Sequence, residues 1–324
     1  MLGRGARVLI VGGTRYLGRI LCERALLAGA DVTLLNRGRT PDAWLAEGGH
    51  TVRRMRGDRR DPEALEQAFD RDYDAVFDMI AYHPEDVAPL LAAPYAGRIR
   101  HLLVCSTTSV YAPALYQPID ERHPRGPHPD WGDYNRGKNA VEDLLAGVHP
   151  RIPATVLRPQ WVFGAHDYQH LAEFYLARVA AGRPVWLWHP GVAQLNWTYA
   201  PDLAAAFCAL AGEPAAAGRA YNVCCDETLT TLEFIALCGD VLGRRPDVRF
   251  YDPGALPGEL RGARVGSVRP QPLACTSARL RADSAWRPTP MRQALVETAA
   301  WLRGQGALEG VRLTPAEEWL ASRA

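Results

Sequence analysis

Lysine is scarce in this 324-residue chain: arginine greatly outnumbers it among 37 basic side chains, a pattern that reflects genome composition. An excess of either charge is lacking too. The 37 Lys and Arg face 36 Asp and Glu, for a net charge of +1. Spread along the whole chain, that balance offers no electrostatic footprint for nucleic acid. No C-x-x-C pair occurs among the seven cysteines, Cys22, Cys105, Cys208, Cys224, Cys225, Cys238 and Cys275. An odd, scattered set implies buried thiols in a reduced, cytoplasmic protein. No apolar run approaches the roughly 20 residues of a membrane span. A secretory leader is not expected either, because the first strand begins near Val8 and leaves no room for an apolar leader core. The histidines are scattered without ligand spacing, so no metal site is expected. There is no internal repeat and no low-complexity tract. The length predicts about two domains and buries a core easily.

What is present is concentrated at the start. Residues 8–11 are a short apolar run, as in a fully buried parallel strand. Gly12-Gly13-Thr14-Arg15-Tyr16-Leu17-Gly18 follows directly. Residues 17–28 then carry apolar side chains at helical spacing, Gly29 ends that helix, and 31–35 reads as a second strand. Strand, glycine turn, helix and strand make a βαβ unit. Its first helix points free N–H groups and a positive dipole end at an anion over the turn. The predicted cofactor contacts here are Gly12, Thr14, Arg15, Tyr16, Leu17 and Gly18. The second strand ends at Leu35-Asn36-Arg37. A carboxylate at that point would hold a ribose 2′-hydroxyl, whereas arginine suits a 2′-phosphate. With Arg15 and Arg37 present and no carboxylate beside Asn36, NADP is favoured over NAD.

A short helix is predicted over 40–47, a strand over 50–56, and a helix over 62–69 with Pro62 in its first turn. Asp58 lies just past a strand's carboxyl end, where it can accept a hydrogen bond from an adenine amino group. Asp61 reads as an N-cap. A strand over 75–80 brings Ile80 and Ala81 to the sheet's end, and a helix runs over 84–93. A fifth strand over 102–106 gives way to Thr107-Thr108-Ser109. The polar stretch 113–130 is too long for a simple connector and reads as a functional loop over an active site. A helix over 131–148 and a sixth strand entering Arg158-Pro159-Gln160-Trp161 follow. Beyond a soft boundary near residue 165, helices are expected over 168–181, 202–211, 231–242, 278–280 and 290–302. Short strands are expected at 185–189 and 220–223.

Tyr134 and Lys138 stand four apart on one helix and so share a face. A tyrosine with a pKa near 10 is a poor acid–base at neutral pH. An ammonium one turn away stabilises phenolate and draws that pKa toward the working range. Such a pair removes a proton from a hydroxyl as hydride leaves its carbon, or protonates an alkoxide in reverse. Thr107 is the best-placed hydroxyl to orient the substrate oxygen, with Ser106 second.

GGTRYLG, GDRRDP, CSTTSVY, YNRGK, LRPQWVFG, APDLA and YNVCCDETLTTLEFI occur in an order and spacing that resembles the extended short-chain dehydrogenase/reductase superfamily, its NAD-dependent epimerase/dehydratase family. The resemblance spans about residues 7–303. GGTR together with FDMIAYHPEDV is most similar to an atypical branch that includes chloroplast stem-loop RNA-binding proteins. It implies an α/β fold: a doubly wound parallel Rossmann sheet over 1–165 and a smaller α/β substrate-binding lobe over 166–324, interleaving permitted. It also implies hydride transfer to or from a nicotinamide cofactor, with Thr107, Tyr134 and Lys138 in the catalytic positions and Lys138 also on the nicotinamide ribose.

Departures from the family pattern narrow the expectation. Arg15 replaces the middle glycine of the turn. Thr108-Ser109 stands where sugar-nucleotide 4,6-dehydratases place Asp-Glu, which argues against dehydration. Trp161 replaces a usual asparagine, and Leu195 an arginine that grips a nucleotide diphosphate. Arg269 remains as a match to a later diphosphate-binding arginine. Thr107, Thr108, Trp161 and Arg269 are therefore the predicted substrate contacts. Trp161, Trp186, Trp188 and Trp197 suit either an aromatic pocket or the core. His83, His128 and His166 lie in loops after strands, within reach of an active site, and an exposed or structurally bonded histidine is expected at each. The expected function is an NAD(P)-dependent oxidoreductase or epimerase acting on a sugar or sugar-nucleotide-like small molecule, compatible with a homodimer. The competing classes are a non-catalytic dinucleotide- or RNA-binding protein and a redox-sensing regulator on the same fold. Both normally dispense with the Tyr–Lys pair.

Overall fold

Val8, Leu9, Ile10 and Val11 are almost wholly buried in β1 (Arg7–Val11). A strand covered on both faces needs helices on each side of a parallel sheet, and that is the surrounding structure. The computed structural model describes residues 2–47, 51–261, 265 and 273–323. After β1 come α1 (Leu17–Leu27), β2 (Asp31–Asn36), the single turn α2 (Trp44–Glu47), β3 (Arg53–Arg56) and α3 (Pro62–Ala68). β4 (Ala75–Asp78), the short helices α4 (Pro84–Val87) and α5 (Ala93–Ala96), β5 (Leu102–Cys105), α6 (Gly132–Val148) and β6 (Ala154–Pro159) follow. The next stretch holds β7 (Val162–Phe163), α7 (Leu171–Ala180), β8 (Val185–Leu187), β9 (Gln194–Leu195) and β10 (Thr198–Tyr199). Then come α8 (Ala200–Leu210), β11 (Ala220–Val223), β12 (Leu229–Thr230), α9 (Thr231–Leu242) and β13 (Val248–Phe250). α10 (Ala278–Asp283), α11 (Met291–Gly304) and α12 (Pro315–Ala321) close the chain.

The chain forms two compact units and passes between them several times. The first comprises Met1–Gln160, Ala200–Cys224 and Cys275–Pro288. Its seven-stranded sheet has the order β11-β6-β5-β4-β1-β2-β3, parallel throughout. The order reverses between β1 and β4, which opens a ligand crevice at their carboxyl ends. α1 buries Leu21, Cys22 and Ala25, and full burial of Leu21 alone contributes roughly 2 kcal/mol. The second unit comprises Trp161–Tyr199, Cys225–Ala274 and Thr289–Ala324. It has a core of its own around Phe163, Tyr175, Trp197, Phe234 and Leu295, with Trp197 stacked on Phe234 at 4.2 Å.

The first division falls at Gln160, near the soft boundary expected at about residue 165, and later segments return to the first unit. Residues 200–224 and 275–288 belong to the first unit, because β11 pairs with β6 and completes the sheet. The helix expected over 84–93 is three pieces, α4, a 3-10 turn at Ala88–Leu91, and α5. Pro89 and Pro94 remove the N–H donors that a continuous helix would need. The helix expected over 40–47 shrinks to α2, and β3 begins at Arg53. His50 and Arg269 lie outside the described residues. All seven cysteines are free and buried. Among the described residues, no helix is long and apolar enough to cross a membrane, and no cluster of His, Cys, Asp and Glu can hold a metal ion.

Candidate functional site

The turn after β1 is closed too tightly for side chains. Gly12 takes φ +88°, and a Cβ there would lie 2.8 Å from the Ile80 side chain. A Cβ on Gly18 would lie 2.0 Å from the Gly12 carbonyl oxygen. Tyr16 is buried at φ +46°, a conformation that costs a non-glycine residue on the order of 1–3 kcal/mol. No side chain caps α1, and its first turn holds no acid. Among the described residues, the N–H groups of Gly13 and Thr14 donate to no protein acceptor. Two open donors at an uncapped helix start fit the oxygens of a dinucleotide pyrophosphate. Thr14 is buried beneath the turn, Leu17 is half-buried, and Arg15 is exposed above it.

The far end of the crevice is formed by β2 and β3. Asn36 Oδ1 accepts from the Gly38 N–H at 2.8 Å. Arg37 is exposed, with its guanidinium 3.9 Å from Asp58 Oδ2. Asp58 Oδ1 accepts from the Arg60 N–H at 3.0 Å, and the second oxygen faces Arg37. Asp61 caps α3 by accepting from the Glu63 N–H.

Beneath the middle of the crevice lies an ion pair. Asp78 ends β4 with no exposed surface, and Arg59 donates to both of its oxygens at 2.6 and 2.7 Å. Arg59 also donates to the Asp86 carbonyl, and Asp78 accepts from the Ile80 N–H. The Asp86 carboxylate accepts from the N–H groups of Tyr82 and His83 and from Arg60. The loop carrying Ile80, Ala81 and Tyr82 is thus pinned at both ends. Asp78 had a sequence signal: a carboxylate within the apolar run AVFDMI requires a buried cation.

The side chains expected to react, Thr107, Tyr134 and Lys138, lie on the loop after β5 and on α6. Lys138 is the chain's only lysine and is 3% exposed, while Tyr134 one turn earlier is 40% exposed. The Lys138 ammonium donates to the Cys105 carbonyl at 2.8 Å. It lies 4.7 Å from the Tyr82 ring centroid and 6.0 Å from that of Tyr134. Burial lowers the Lys138 pKa, opposed by the Cys105 thiol and the carboxylates of Asp78 and Glu142. Among 37 basic side chains, this is the one that is not arginine. A compact ammonium that can sit buried against a carbonyl is what a planar guanidinium cannot supply.

Ser106 and Thr107 are now distinguishable. The Ser106 hydroxyl donates to Glu142 at 2.5 Å and is committed there. The Thr107 hydroxyl donates to Ser109 Oγ at 3.2 Å and accepts from the Ser109 N–H. Glu142 is also held by Arg158 through both oxygens, Arg158 donates to the Tyr111 hydroxyl, and that hydroxyl donates to Asn222. This buried chain fixes the floor under Thr107. The polar segment 113–130 is pinned, with Ile119 and His123 buried and the Gly126 carbonyl accepting from Asn135. His128 Nδ1 accepts from the Asp130 N–H. Sequence reasoning passed over Arg59, Tyr82, Glu142 and Arg158, although Glu142 stands four residues after Lys138 on the same helix face.

In the second unit, Trp186 and Trp197 are core residues, and Leu195 is fully buried. Trp161 takes φ +43° and packs partly against the same core, its ring 6.3 Å from Trp197. Trp188 alone of the four tryptophans is exposed. The His166 ring packs on Trp301 at 5.0 Å.

Residues 8–224 match the model of the NAD dependent epimerase/dehydratase family. The chain belongs to that family. Two curated relatives extend the likeness. The chloroplast stem-loop binding protein of 41 kDa b of Arabidopsis thaliana is 26% identical over 76% of this chain and 66% of that protein. This chain thus spans about two thirds of that relative's length. The 2-alkyl-3-oxoalkanoate reductase of Stenotrophomonas maltophilia is 30% identical over 71% of this chain and 73% of that protein. Among solved structures, the UDP-glucose 4-epimerase of Thermus thermophilus, in complex with NAD, superposes with a TM-score of 0.71. That match has 23% identity and covers 92% of this chain and 99% of the other. The epimerase/dehydratase family accounts for the parallel sheet and for the nicotinamide cofactor class.

Proposed function

We propose that the chain is an NADP-preferring oxidoreductase or epimerase that works at a carbinol carbon of a sugar or sugar-nucleotide-like substrate. The observation that carries this reading is the buried ammonium of Lys138, seated between the Cys105 carbonyl and the rings of Tyr82 and Tyr134. A nicotinamide cofactor, when bound, supplies or takes up the hydride. Tyr134 donates the proton to the substrate oxygen, or removes it in the reverse direction. Lys138 stabilises the phenolate so formed and holds the nicotinamide ribose. The Thr107 hydroxyl orients the substrate oxygen, and Thr108 lines the same loop. Gly12 to Gly18 hold the pyrophosphate, Asp58 the adenine, and Ile80 and Ala81 the wall of the crevice.

NADP preference rests on charge. Arg15 is exposed in the turn after β1 and Arg37 just past the end of β2, and no carboxylate stands beside Asn36. Epimerisation follows if the cofactor is retained through both half-reactions, and net reduction if it leaves after each. The second outcome has support of its own. The bacterial relative is named a reductase of 3-oxoalkanoates, and Leu195 is buried where a diphosphate-gripping arginine would stand. A simple ketone or 3-oxo acid is therefore the alternative substrate class. The name of the plant relative suggests stem-loop binding instead. Against it, half-buried and exposed arginines of the first unit pair with aspartates: Arg53 with Asp70, Arg60 with Asp86, Arg71 with Asp31 and Arg100 with Asp74.

Titration of the purified protein with both dinucleotides tests the cofactor assignment. NADP should bind the more tightly, and equal or tighter NAD binding would overturn the roles of Arg15 and Arg37. A screen of sugar nucleotides, simple ketones and 3-oxo acids with NADPH should then reveal turnover. Dinucleotide binding without turnover across that screen would favour the non-catalytic reading.

A further inference from the structure

Three independent constraints converge on Tyr82. The Asp86 carboxylate accepts from its N–H at 2.9 Å. A Cβ on Gly137 would lie 2.4 Å from its carbonyl oxygen, so α6 approaches this backbone only because residue 137 is glycine. The Arg59–Asp78 pair anchors the strand end from which the loop departs. Gly137 immediately precedes Lys138, so this contact places the Tyr82 ring on the next side chain. The ammonium is closer to the Tyr82 centroid, at 4.7 Å, than to that of Tyr134, at 6.0 Å. The two rings are 6.3 Å apart and tilted by 50°.

We propose that Tyr82 is a positioning residue: its ring face seats the Lys138 ammonium beside Tyr134 by a cation–π contact. The inference rests on the reading of Lys138 as the support of the Tyr134 phenolate. An aromatic face attracts an ammonium most strongly where water is excluded. It offers that attraction without a further carboxylate, which would compete with phenolate for the cation. Other charged or titratable groups also face Lys138. Asp78 at the end of β4, Glu142 on α6 and the Cys105 thiol on β5 favour its charged form, while burial and the Arg59 guanidinium oppose it. Tyr82 adds to the first set and keeps the ammonium charged in a site that burial disfavours.

Because Lys138 is the only lysine, protein grown on lysine labelled with 15N at the side-chain nitrogen gives a single ammonium signal. Its titration in cofactor-free protein reads the contact directly, with no substrate needed. Wild type and Tyr82→Phe should titrate together, because the ring face is kept. Tyr82→Leu keeps the bulk that excludes water but loses the face, so its midpoint should fall by about one pH unit. Tyr82→Met serves the same purpose should the leucine variant fail to fold. A midpoint unmoved in Tyr82→Leu or Tyr82→Met would overturn the proposal. So would a fall in Tyr82→Phe as large as in Tyr82→Leu, since the hydroxyl would then be the acting group. The acid–base reading is separable: an active Tyr134→Phe would remove it and leave the Lys138 titration standing.

Discussion

Tyr134 and Lys138 were legible as a pair because a helix places residues four apart on one face. The sequence ranked Thr107 ahead of Ser106 but did not show which hydroxyl is already committed. That depends on Glu142, 36 residues beyond Ser106, whose carboxylate claims the Ser106 hydroxyl. His101 was equally silent in the sequence. Its Nδ1 accepts from the Gly212 N–H at 3.1 Å, and its Nε2 meets Thr155 Oγ1 at 2.8 Å. The Thr155 hydroxyl donates to the Ala216 carbonyl, so Nε2 carries the proton toward Thr155. The ring is thus held neutral, and burial pushes its pKa down to about 4. Between about pH 6.5 and 4 the unfolded chain binds a proton there and the folded chain does not. Stability is therefore full above pH 6.5 and falls as pH drops toward 4, by up to roughly 3 kcal/mol. Urea unfolding at pH 7.5 and pH 5 should show a loss that His101→Gln abolishes. A loss of equal size in the variant would place it on another group.

At the scale of elements, the βαβ unit at 7–36 was legible throughout, since apolar runs and glycines announce a buried strand, a turn and a helix end. The broken α4–α5 segment was misread because apolar spacing is blind to the donors that Pro89 and Pro94 remove. The clamp between the loop before α3 and the end of β4 was also missed. Arg59 and Asp78 are 19 residues apart and meet only when β4 lies beside β1. The clamp is testable. Asp78→Asn leaves a buried guanidinium without its counter-charge, at a cost of about 3–5 kcal/mol. The urea midpoint of that variant should fall accordingly. A change below about 1 kcal/mol would show that water replaces the carboxylate and that the clamp does not hold the loop.

For the whole molecule, length predicted about two domains but not which segments interleave between them. β11 lies beyond the proposed boundary, yet it completes the first sheet beside β6, a pairing that no local pattern encodes. The balanced charge was informative at this scale, because several arginines of the first unit pair with aspartates, among them Arg53 with Asp70, Arg60 with Asp86, Arg71 with Asp31 and Arg100 with Asp74. That unit alone carries the glycine turn, Thr107, Tyr134 and Lys138. The substrate class was the least legible feature. Trp186 and Trp197 proved to be core, and Arg269 lies outside the described residues. The most direct measurement is the turnover of Tyr134→Phe with whichever substrate the NADPH screen yields, set beside its dinucleotide affinity. Loss of the phenol should lower kcat by about 100-fold or more while the Kd for NADPH stays within about twofold. A variant that keeps more than about half of the wild-type rate would contradict the assignment of Tyr134 as the acid–base.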